Sequence, residues 1–401
     1  MRVAKLSLHN WRNYQNLEVE FAPGPVLVLG RNGQGKTNLA EAIAYFNDLS
    51  SHRVNADAPL LRAGQTSAAV RMQVVTQKSA PMLELELRSG QQKRAQINGN
   101  AVRARELTRY FTSVVFAPED LLIVRGEPAA RRAFLDAAIV TRMPLFAAIF
   151  REYERVVRQR SALLKQARKH GEPAGFEQML EFWNAQLIDN GTRIMAERRR
   201  LIDQLTPHLK SSYAELVGQD HGPKLALKES GAQAENYLPQ TGDVSHTGDV
   251  SRETLHAEFA EKLQKMARAE LERGQTLVGP HRDELELQLN SLPVKGYASH
   301  GESWSMALAL KLALAQLLRA DNAPEDPVLI LDDVFAELDV FRRQRLMSAV
   351  GEYEQVIVTA AVAGDIPTDC TWQTFVIKCG ELIAQGSSTN PATDFELDGP
   401  A

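Results

Sequence analysis

The N-terminal part of the chain carries two stretches in which apolar and polar residues alternate. Apolar residues occupy every second position at 4–8 and again at 17–21, and the polar segment WRNYQN joins the two stretches. Alternation with a period of two is typical of strands with one buried face. We therefore predict a β-hairpin at the start of the chain.

A fully apolar run follows this hairpin. Val26–Leu29 contains no polar position, as expected for a strand covered on both faces, and a glycine-rich loop follows it directly. A helix over 36–46 is the natural continuation of this strand and loop. Alternation returns at 70–76 and 82–88, and the Asn-Gly pair at 98–99 offers a tight turn. An antiparallel β-region is therefore predicted after the first βα unit.

From residue 127 to about residue 216 the apolar positions follow helical spacing instead. Glycines and a proline at 171–175 separate two long helical stretches, so we predict an antiparallel helical hairpin, or arm. The polar repeat TGDVS-H-TGDVS, near 241–251, has too little apolar content to pack and predicts a mobile surface loop. The two apolar stripes consist of Leu145, Ile149, Tyr153, Val156 and Leu163, and of Phe176, Leu180, Trp183 and Leu187.

Strand-forming runs return after residue 275 and follow a long apolar helix over 302–319. These runs are Val328–Leu331, Val356–Thr359 and Phe375–Lys378. An α/β pattern at both ends of the chain indicates one domain that is split in sequence. We expect the first part of this head at 1–120, the helical arm at 121–270 and the second part of the head at 271–401.

Bulk composition adds limits on class and partners. The 401 residues are 44% hydrophobic and 24% charged, which is typical of a soluble protein large enough for two structural units. The N-terminus lacks the apolar stretch of a signal peptide, and the most apolar segment, 306–318, is interrupted by Lys311 and too short to span a bilayer. We expect a cytoplasmic protein without a membrane partner. The net charge is −4, so any DNA site must be a local patch.

The loop after Val26–Leu29 has the strongest chemical signature. Its sequence fits G-x4-G-K-T between a strand and a helix, the context in which this motif binds phosphate. Backbone N–H groups and the positive helix end would surround the phosphates, Lys36 would add a charge that also serves catalysis, and the Thr37 hydroxyl would coordinate Mg²⁺. The predicted nucleotide-binding residues are Gly30, Arg31, Asn32, Gly33, Gln34, Gly35, Lys36, Thr37 and Asn38.

Two further segments carry candidate chemistry. The apolar run 328–331 ends in Asp332, a candidate Mg²⁺ ligand, and Asp333, a candidate for orienting the attacking water. Paired acids after a strand also occur in plain turns and helix caps. Ser299 and Gly301 open the long apolar helix, and a serine, a glycine and a helix N-terminus can form a second anion site, for a nucleotide held by another subunit. A simple helix cap is the alternative.

The order of these segments resembles that of ABC-type ATPase heads, and the four residues Ala336–Asp339 look like the D-loop of that class. Within the class, the chain resembles the RecF family. The blocks that carry this resemblance span nearly the whole chain and are Leu8–Tyr14, Phe116–Asp120, Arg131–Asp136, Gly279–Arg282 and Asp332–Asp339.

The resemblance implies an α/β fold, namely an ABC-type ATPase head with a mixed sheet and an antiparallel β-subdomain, interrupted by an α-helical arm. It implies ATP and Mg²⁺ as ligands and an ATP-driven homodimer. In that dimer, Ser299 and Gly301 of one chain complete the site built on Lys36 and Asp332 of the other. It also implies that the dimer binds single- and double-stranded DNA at gaps or junctions. Weak, DNA-stimulated hydrolysis would then reopen the dimer. Cooperation with RecO and RecR in loading RecA is implied as well, in recombinational repair, replication restart and the SOS response to DNA damage.

The chain departs from familiar patterns at three places. Glu302 stands where the RecF family often has glutamine, and a carboxylate there would repel a γ-phosphate unless it points elsewhere. Thr359 replaces the switch histidine of many transporters, so we expect slow turnover. The segment 116–120 lacks the transporter Q-loop glutamine, which leaves Glu119 either as a magnesium ligand or as part of a plain turn.

Basic charge is concentrated in the predicted arm. Between residues 125 and 210 there are 16 lysines and arginines against 10 acidic residues. Arginines at helical spacing can follow a phosphate backbone without reading bases, but the same residues can form a solvated face paired with glutamates. The resemblance favours DNA. The candidate DNA-binding residues are Arg151, Arg155, Arg158, Arg198, Arg199 and Arg200.

Three other functions fit parts of the pattern. A transporter ATPase subunit would share the head, but the glutamine and histidine elements are missing. A chromosome-cohesion head would need a long coiled coil, and about 40 residues per helix reach only roughly 60 Å. A binding module with a vestigial ATPase site conflicts with the intact Lys36 and Asp332-Asp333.

Overall fold

The computed structural model describes residues 1–54, 56–230, 251–322, 325–368 and 370–394. The chain divides into two compact units, which we call the head unit and the arm unit. The head unit comprises Met1–Asp120, Ser211–Gln219 and Ala307–Ala401, and the arm unit comprises Leu121–Lys210 and Asp220–Met306. Residues 271–306, for which the sequence predicted the second part of the head, belong to the arm unit in this division.

One sheet of the head unit is antiparallel and has the strand order β2-β1-β4-β5-β6-β7. Leu6 pairs with Val19 and Leu8 with Leu17, so the predicted hairpin is confirmed and its apolar face is buried. The turn at 98–99 has positive φ at both residues and joins the last two strands. The strands are β1 Arg2–Trp11, β2 Tyr14–Glu20, β4 Ser67–Val75, β5 Met82–Arg88, β6 Arg94–Ile97 and β7 Asn100–Val102.

The second sheet of the head unit has the order β15-β14-β3-β13-β12-β8, and all pairs but the outermost, β15 with β14, are parallel. Its central strands β12 and β13 are buried at every position and mostly apolar, as expected where both faces of a sheet are covered. The carboxyl ends of β3, β13 and β12 therefore meet at one edge. The strands are β3 Gly24–Leu29, β8 Ser113–Phe116, β12 Val328–Asp332, β13 Gln355–Ala360, β14 Trp372–Lys378 and β15 Glu381–Ser388.

The first helix, α1 (Lys36–Asp48), packs against both sheets of the head unit. Its residues Leu39, Ile43 and Phe46 are fully buried in a core shared with strand residues of both sheets. This packing fixes the start of α1, and with it the preceding glycine-rich loop. Short helices elsewhere in the head unit are α9 Val340–Val350 and α10 Pro391–Asp394.

The arm unit is mainly helical. Its helices are α2 Leu121–Arg125, α3 Pro128–Arg142, α4 Phe146–His170, α5 Phe176–Val217, α6 Arg252–Arg273, the short α7 Val294–Tyr297 and α8 His300–Asp321, with α5 and α8 ending in the head unit. A small antiparallel sheet, β11-β10-β9, consists of β9 Lys224–Lys228, β10 Glu284–Leu289 and β11 Leu292–Pro293.

The predicted stripes pack between α4, α5 and α6, with the exception of Leu145, which precedes α4 and is 77% exposed. Tyr153, Val156 and Leu187 share a buried cluster with Phe259, so the predicted helical arm is confirmed. The predicted loop 241–251 lies outside the described residues except for Ser251, which caps α6 by accepting a hydrogen bond from the Thr254 N–H at 3.2 Å. Among the described residues, no helix is long and apolar enough to cross a membrane.

Candidate functional site

The loop between β3 and α1 can be built only with glycine at two positions. A Cβ atom on Gly35, whose φ is 122°, would lie 2.7 Å from the side-chain nitrogen of Asn13. One on Gly30 would lie 2.5 Å from the Ile377 carbonyl oxygen. Both distances are shorter than a side chain tolerates, so these glycines permit a tight loop whose N–H groups lie at the start of α1.

The turn between β1 and β2 supports this loop from behind. The Asn13 amide donates to the Gln34 carbonyl at 2.8 Å, and the buried Tyr14 hydroxyl donates to the Gly35 carbonyl at 2.9 Å. The Trp11 indole N–H donates to the Asn38 carbonyl at 3.0 Å. The block Leu8–Tyr14, quoted above for its resemblance alone, thus has a physical role in holding the loop.

The loop lines a cavity of about 290 Å³. Lys36 is almost fully buried there, and within the described ranges its Nζ makes only long contacts, 3.4 Å to the Arg31 carbonyl, 3.4 Å to Asn32 Oδ1 and 3.7 Å to Asp333 Oδ2. Backbone N–H groups at a helix start and a weakly paired ammonium group suit an anionic ligand such as a phosphate chain. The cavity is lined by Asn32, Gly33, Gly35, Lys36, Thr37, Asn38, Arg53 and Asp333.

Asp332 lies at the end of β12, beside the cavity. Its Oδ1 accepts hydrogen bonds from the Thr37 hydroxyl at 3.0 Å and from the Thr359 hydroxyl at 2.6 Å. Burial raises the pKa of Asp332 above its ordinary value. A carboxylate and a hydroxyl are ligands that Mg²⁺ accepts, and Mg²⁺ usually takes its remaining ligands from substrate phosphates and water. The donor set formed by Thr37 and Asp332 therefore fits Mg²⁺.

Asp333 has a backbone conformation that is uncommon for a residue with a side chain. Its φ is 53°, and its N–H donates to the Thr359 hydroxyl at 3.0 Å. This contact offsets the local cost of a left-handed residue, on the order of 1 kcal/mol. The carboxylate is directed to Lys36 and the cavity, and burial raises its pKa while Lys36 opposes that shift. Thr359 thus positions both acids.

Arg53 lines the cavity and was not predicted from the sequence. Its Nη1 donates to Asn38 Oδ1 at 2.9 Å and lies 3.6 Å from the fully buried Glu41. Although burial acts to raise it, hydrogen bonds from Arg12 and Ser51 hold the pKa of Glu41 below its usual value. Arg53 lies in an irregular segment after α1, where no periodic pattern marks it.

Ser299 and Glu302 cap each other at the start of α8, within the arm unit. The Ser299 N–H donates to Glu302 Oε2 at 2.8 Å, and the Glu302 N–H donates to Ser299 Oγ at 3.2 Å. This reciprocal pair is a capping box, and Gly301 lies in the same first turn. The carboxylate that departs from the family pattern is therefore directed back to the Ser299 backbone.

The segment 116–120 is tied to the apolar helix that precedes β12. Asp120 accepts a hydrogen bond from its own turn, at the Ala117 N–H, and forms a 2.8 Å ion pair with Lys311. Glu119 is exposed. This geometry fits the plain turn that the sequence left as one alternative.

Two of the predicted DNA-binding arginines are buried. Arg198 is 2% exposed and is hydrogen-bonded to Asp136 at 2.7 Å and to Asp283 at 3.3 Å. Arg199 is 7% exposed and donates from Nε to Glu229 at 2.8 Å. The prediction that these two residues contact DNA phosphates is corrected, because their guanidinium groups serve the core of the arm unit.

The other four candidate arginines are exposed. Arg155 donates to Glu152 through two nitrogens, and Arg158 lies 3.7 Å from Glu154. Arg200 pairs with Glu197 at 2.6 Å, and Arg151 donates to the backbone carbonyl of its own helix. Exposed pairs of this kind contribute little to stability, so these guanidinium groups can exchange partners at low cost.

Comparisons with known proteins agree with this geometry. Residues 2–367 match the model of the RecF/RecN/SMC N-terminal domain family. The DNA replication and repair protein RecF of Clavibacter sepedonicus is 44% identical over 100% of both chains, and that of Leifsonia xyli is 46% identical over 96% of this chain and 99% of its own. Such identity over the full length excludes the transporter alternative.

Solved structures give the same result. A structure of the recombination mediator protein RecF-ATP in the RecFOR pathway superposes with a TM-score of 0.81 at 27% identity, covering 96% of this chain and 97% of that one. An SMC head bound to the C-terminal winged-helix domain of ScpA has a TM-score of 0.51 at 14% identity, which supports the shared fold alone. The predicted α/β head interrupted by a helical arm is therefore confirmed.

Proposed function

The chain belongs to the RecF family of DNA replication and repair proteins, and we propose that it is an ATP-gated DNA-binding protein with a weak ATPase activity. The observation that carries this proposal is the cavity at the carboxyl edge of the parallel sheet. There, Lys36 and the loop N–H groups face the same space as Asp333. A cavity that combines phosphate-binding groups with a carboxylate is suited to both binding and hydrolysis of a nucleoside triphosphate.

Each residue of the cavity has a distinct role in this proposal. The loop 30–38 holds the phosphates, and Thr37 and Asp332 hold Mg²⁺, which would neutralise phosphate charge. The Asp333 carboxylate accepts a proton from the attacking water and orients it toward the terminal phosphate. Hydrolysis is slow because Thr359, which positions Asp332 and Asp333, has no titratable group to take part in proton transfer.

ATP joins two copies of the chain in this proposal. Ser299 and Gly301 of one copy bind the terminal phosphate held by Lys36 of the other copy. These two residues lie at the start of α8, and a helix N-terminus favours a bound anion. The Ser299 hydroxyl now accepts the Glu302 N–H and still has a proton to donate to a phosphate oxygen. Hydrolysis removes this phosphate and releases the partner copy.

DNA is the partner that the closed dimer holds. Arg151, Arg155, Arg158 and Arg200 are exposed on the arm unit and would bind backbone phosphates without reading sequence. The bound DNA is gapped or a junction, and it stimulates hydrolysis. The chain also cooperates with RecO and RecR in loading RecA. The RecFOR pathway of the matched structure supports the last point.

Sedimentation of the chain with and without ATP·Mg²⁺, alone and with gapped DNA, tests this function. We expect ATP to produce a dimer that is retained on DNA, and we expect Lys36→Met and Ser299→Arg each to abolish both effects. Lys78→Met, which removes an exposed lysine of the head unit, is the matched control and should behave as the parent. A parent chain that stays monomeric, or that binds DNA equally without nucleotide, would contradict ATP gating.

A further inference from the structure

An aromatic ring lies exposed on the long helix α5. Phe182 is 56% exposed, and Met179, one turn earlier, is 40% exposed. Other apolar residues of α5, such as Leu187, are buried in the arm core. A single exposed apolar residue is common and needs no explanation by itself. What matters here is the group of side chains beside it.

Phe182 contacts the Trp183 ring, and an arginine lies against that second ring. Its ring centroid lies 5.0 Å from that of Trp183 at an interplanar angle of 72°, and the Arg155 guanidinium lies 5.3 Å from the Trp183 centroid. Glu152 holds this guanidinium through two hydrogen bonds of 2.9 and 2.5 Å. An aromatic pair and a fixed arginine thus share one surface of the helical hairpin.

Two further exposed arginines lie near Arg155 on α4. Arg151 and Arg158 are exposed about one helical turn on either side of Arg155, and the three residues span about 10 Å of the helix axis. Over its length, α4 carries seven lysines and arginines against two glutamates. A helix with this excess attracts a polyanion, and the span of the three exposed arginines matches about three nucleotides.

Unpaired nucleotides combine the two properties that this surface recognises. Their phosphates pair with arginines, and their bases offer a flat face that stacks on an aromatic ring. Bases within a duplex already stack on each other, so an exposed ring can bind them only where the duplex is interrupted. The surface therefore favours the single-stranded part of a gap.

We propose that Phe182 of α5, together with Arg151, Arg155 and Arg158 of the neighbouring helix α4, is a stacking platform for unpaired nucleotides. This inference rests on the proposed function and names the part of the DNA that the arm unit contacts. The ring of Phe182 holds a base, Arg155 fixes the neighbouring Trp183 and contributes charge, and the two flanking arginines hold phosphates. Discrimination between a gap and an intact duplex then originates at Phe182.

Binding of labelled poly-dT, of a gapped duplex and of a blunt duplex of equal length tests the platform, with ATP·Mg²⁺ present throughout. We expect Phe182→Ala to weaken binding of poly-dT and gapped DNA roughly tenfold, as for the loss of one stacked base. Binding of the blunt duplex should change less than about twofold. Phe182→Tyr should restore binding, because it keeps the ring. Met179→Ala is the matched control, since it removes exposed apolar surface from the same helix without removing a ring.

Tryptophan fluorescence gives a readout that a structural role of Phe182 would not change. Trp11, Trp304 and Trp372 are buried, whereas Trp183 is partly exposed beside the platform. Poly-dT should therefore quench the emission of the parent chain, and the blunt duplex should not. The quenching should disappear in Trp183→Phe.

The outcomes separate this inference from the proposed function. If the parent chain binds no DNA with ATP, the proposed function fails and the platform with it. If the parent binds and Phe182→Ala binds poly-dT equally well, the platform alone is wrong. Equal weakening for single and double strands would assign Phe182 a structural role and overturn the platform. Loss of binding to a partner protein with unchanged DNA binding would assign the surface to protein docking, and would overturn it too.

Discussion

Lys36 in the head unit and Arg198 in the arm unit are both buried cations, and they differ in how completely they are paired. In the head unit, Lys36 makes contacts of 3.4 to 3.7 Å and borders an open cavity. In the arm unit, Arg198 makes contacts of 2.7 to 3.3 Å with two aspartates, one of which, Asp283, is fully buried. Charges that are already paired at short distance build the core, whereas a weakly paired charge beside a cavity is suited to a ligand.

The largest predicted effect is a difference in stability between variants of Arg198 and of Lys36. Arg198→Met leaves Asp283 buried without its main cation and should lower the free energy of unfolding by about 3–5 kcal/mol. Lys36→Met should lower it by less than about 1 kcal/mol, because the long contacts of Lys36 contribute little. Urea unfolding monitored by circular dichroism measures both values. Equal losses in the two variants would remove the distinction.

The rate of ATP hydrolysis tests the role of Asp333 in the cavity. Asp333→Asn should reduce the rate of ATP hydrolysis at least about 100-fold, or roughly 3 kcal/mol, because an amide cannot accept the proton of the attacking water. The variant should still bind ATP. Phosphate release and equilibrium binding of a fluorescent nucleotide measure the two properties, with Asp189→Asn as a control at an exposed aspartate of α5. Hydrolysis at the parent rate would assign the water-orienting role to another group.

The stability of the arm unit should also depend on pH, because burial opposes the protonation of one of its histidines. Burial lowers the pKa of His281 to about 4, and the Tyr153 hydroxyl lies 2.8 Å from its Nδ1. The unfolded chain therefore takes up the proton first as pH falls, so His281 reduces stability progressively between about pH 6.5 and 4. The loss should reach about 2–3 kcal/mol.

Urea unfolding of the parent chain and of His281→Asn across this pH range isolates the contribution of His281. The difference between the two stability profiles should grow as pH falls, in the direction that favours the variant. A constant difference would show that His281 is not buried in its neutral form.

A smaller effect is expected at Arg53, at the edge of the phosphate cavity. Arg53→Ala should weaken ATP binding about tenfold, or 1.4 kcal/mol, while the free energy of unfolding changes little. Arg94→Ala removes an exposed arginine from a strand of the head unit and is the matched control. Isothermal titration with ATP·Mg²⁺ measures the affinity. Unchanged affinity would limit Arg53 to its hydrogen bond with Asn38.

The smallest effect concerns single arginines on the arm surface. Arg158→Ala should lower DNA affinity less than about threefold at moderate salt and should reduce the slope of log affinity against log salt by about 1. A salt titration of poly-dT binding measures this slope, because Arg158 is proposed to hold phosphates of unpaired nucleotides. A slope equal to that of the parent would show that Arg158 contacts no phosphate.

Local patterns predicted most of the fold. The hairpin, the strand before the glycine-rich loop and the arm each follow from a hydrophobic period that is complete within a few residues. The capping alternative at Ser299 was likewise visible in the sequence, because the two caps are three positions apart. The contact that keeps the Glu302 carboxylate on this cap is therefore local.

The arginines at 198–200 show why other parts could not be predicted. Consecutive residues of a helix point in directions about 100° apart, so one run can face both the core and the solvent. The anions that bury Arg198 and Arg199 lie 62 and 30 positions away, at Asp136 and Glu229. The position of Arg53 at the cavity is likewise set by tertiary contacts, and no local sequence pattern marks it.

Mixing two inactive variants tests the shared nucleotide site most directly. Lys36→Met and Ser299→Arg chains should each hydrolyse no ATP and form no ATP-dependent dimer. Their mixture should recover up to about half of the parent rate, because only mixed two-fold dimers can form and each contains one intact pair of Lys36 and Ser299 out of two. Recovery at that level is the result we predict. A mixture as inactive as its components would contradict a site completed by the second copy of the chain.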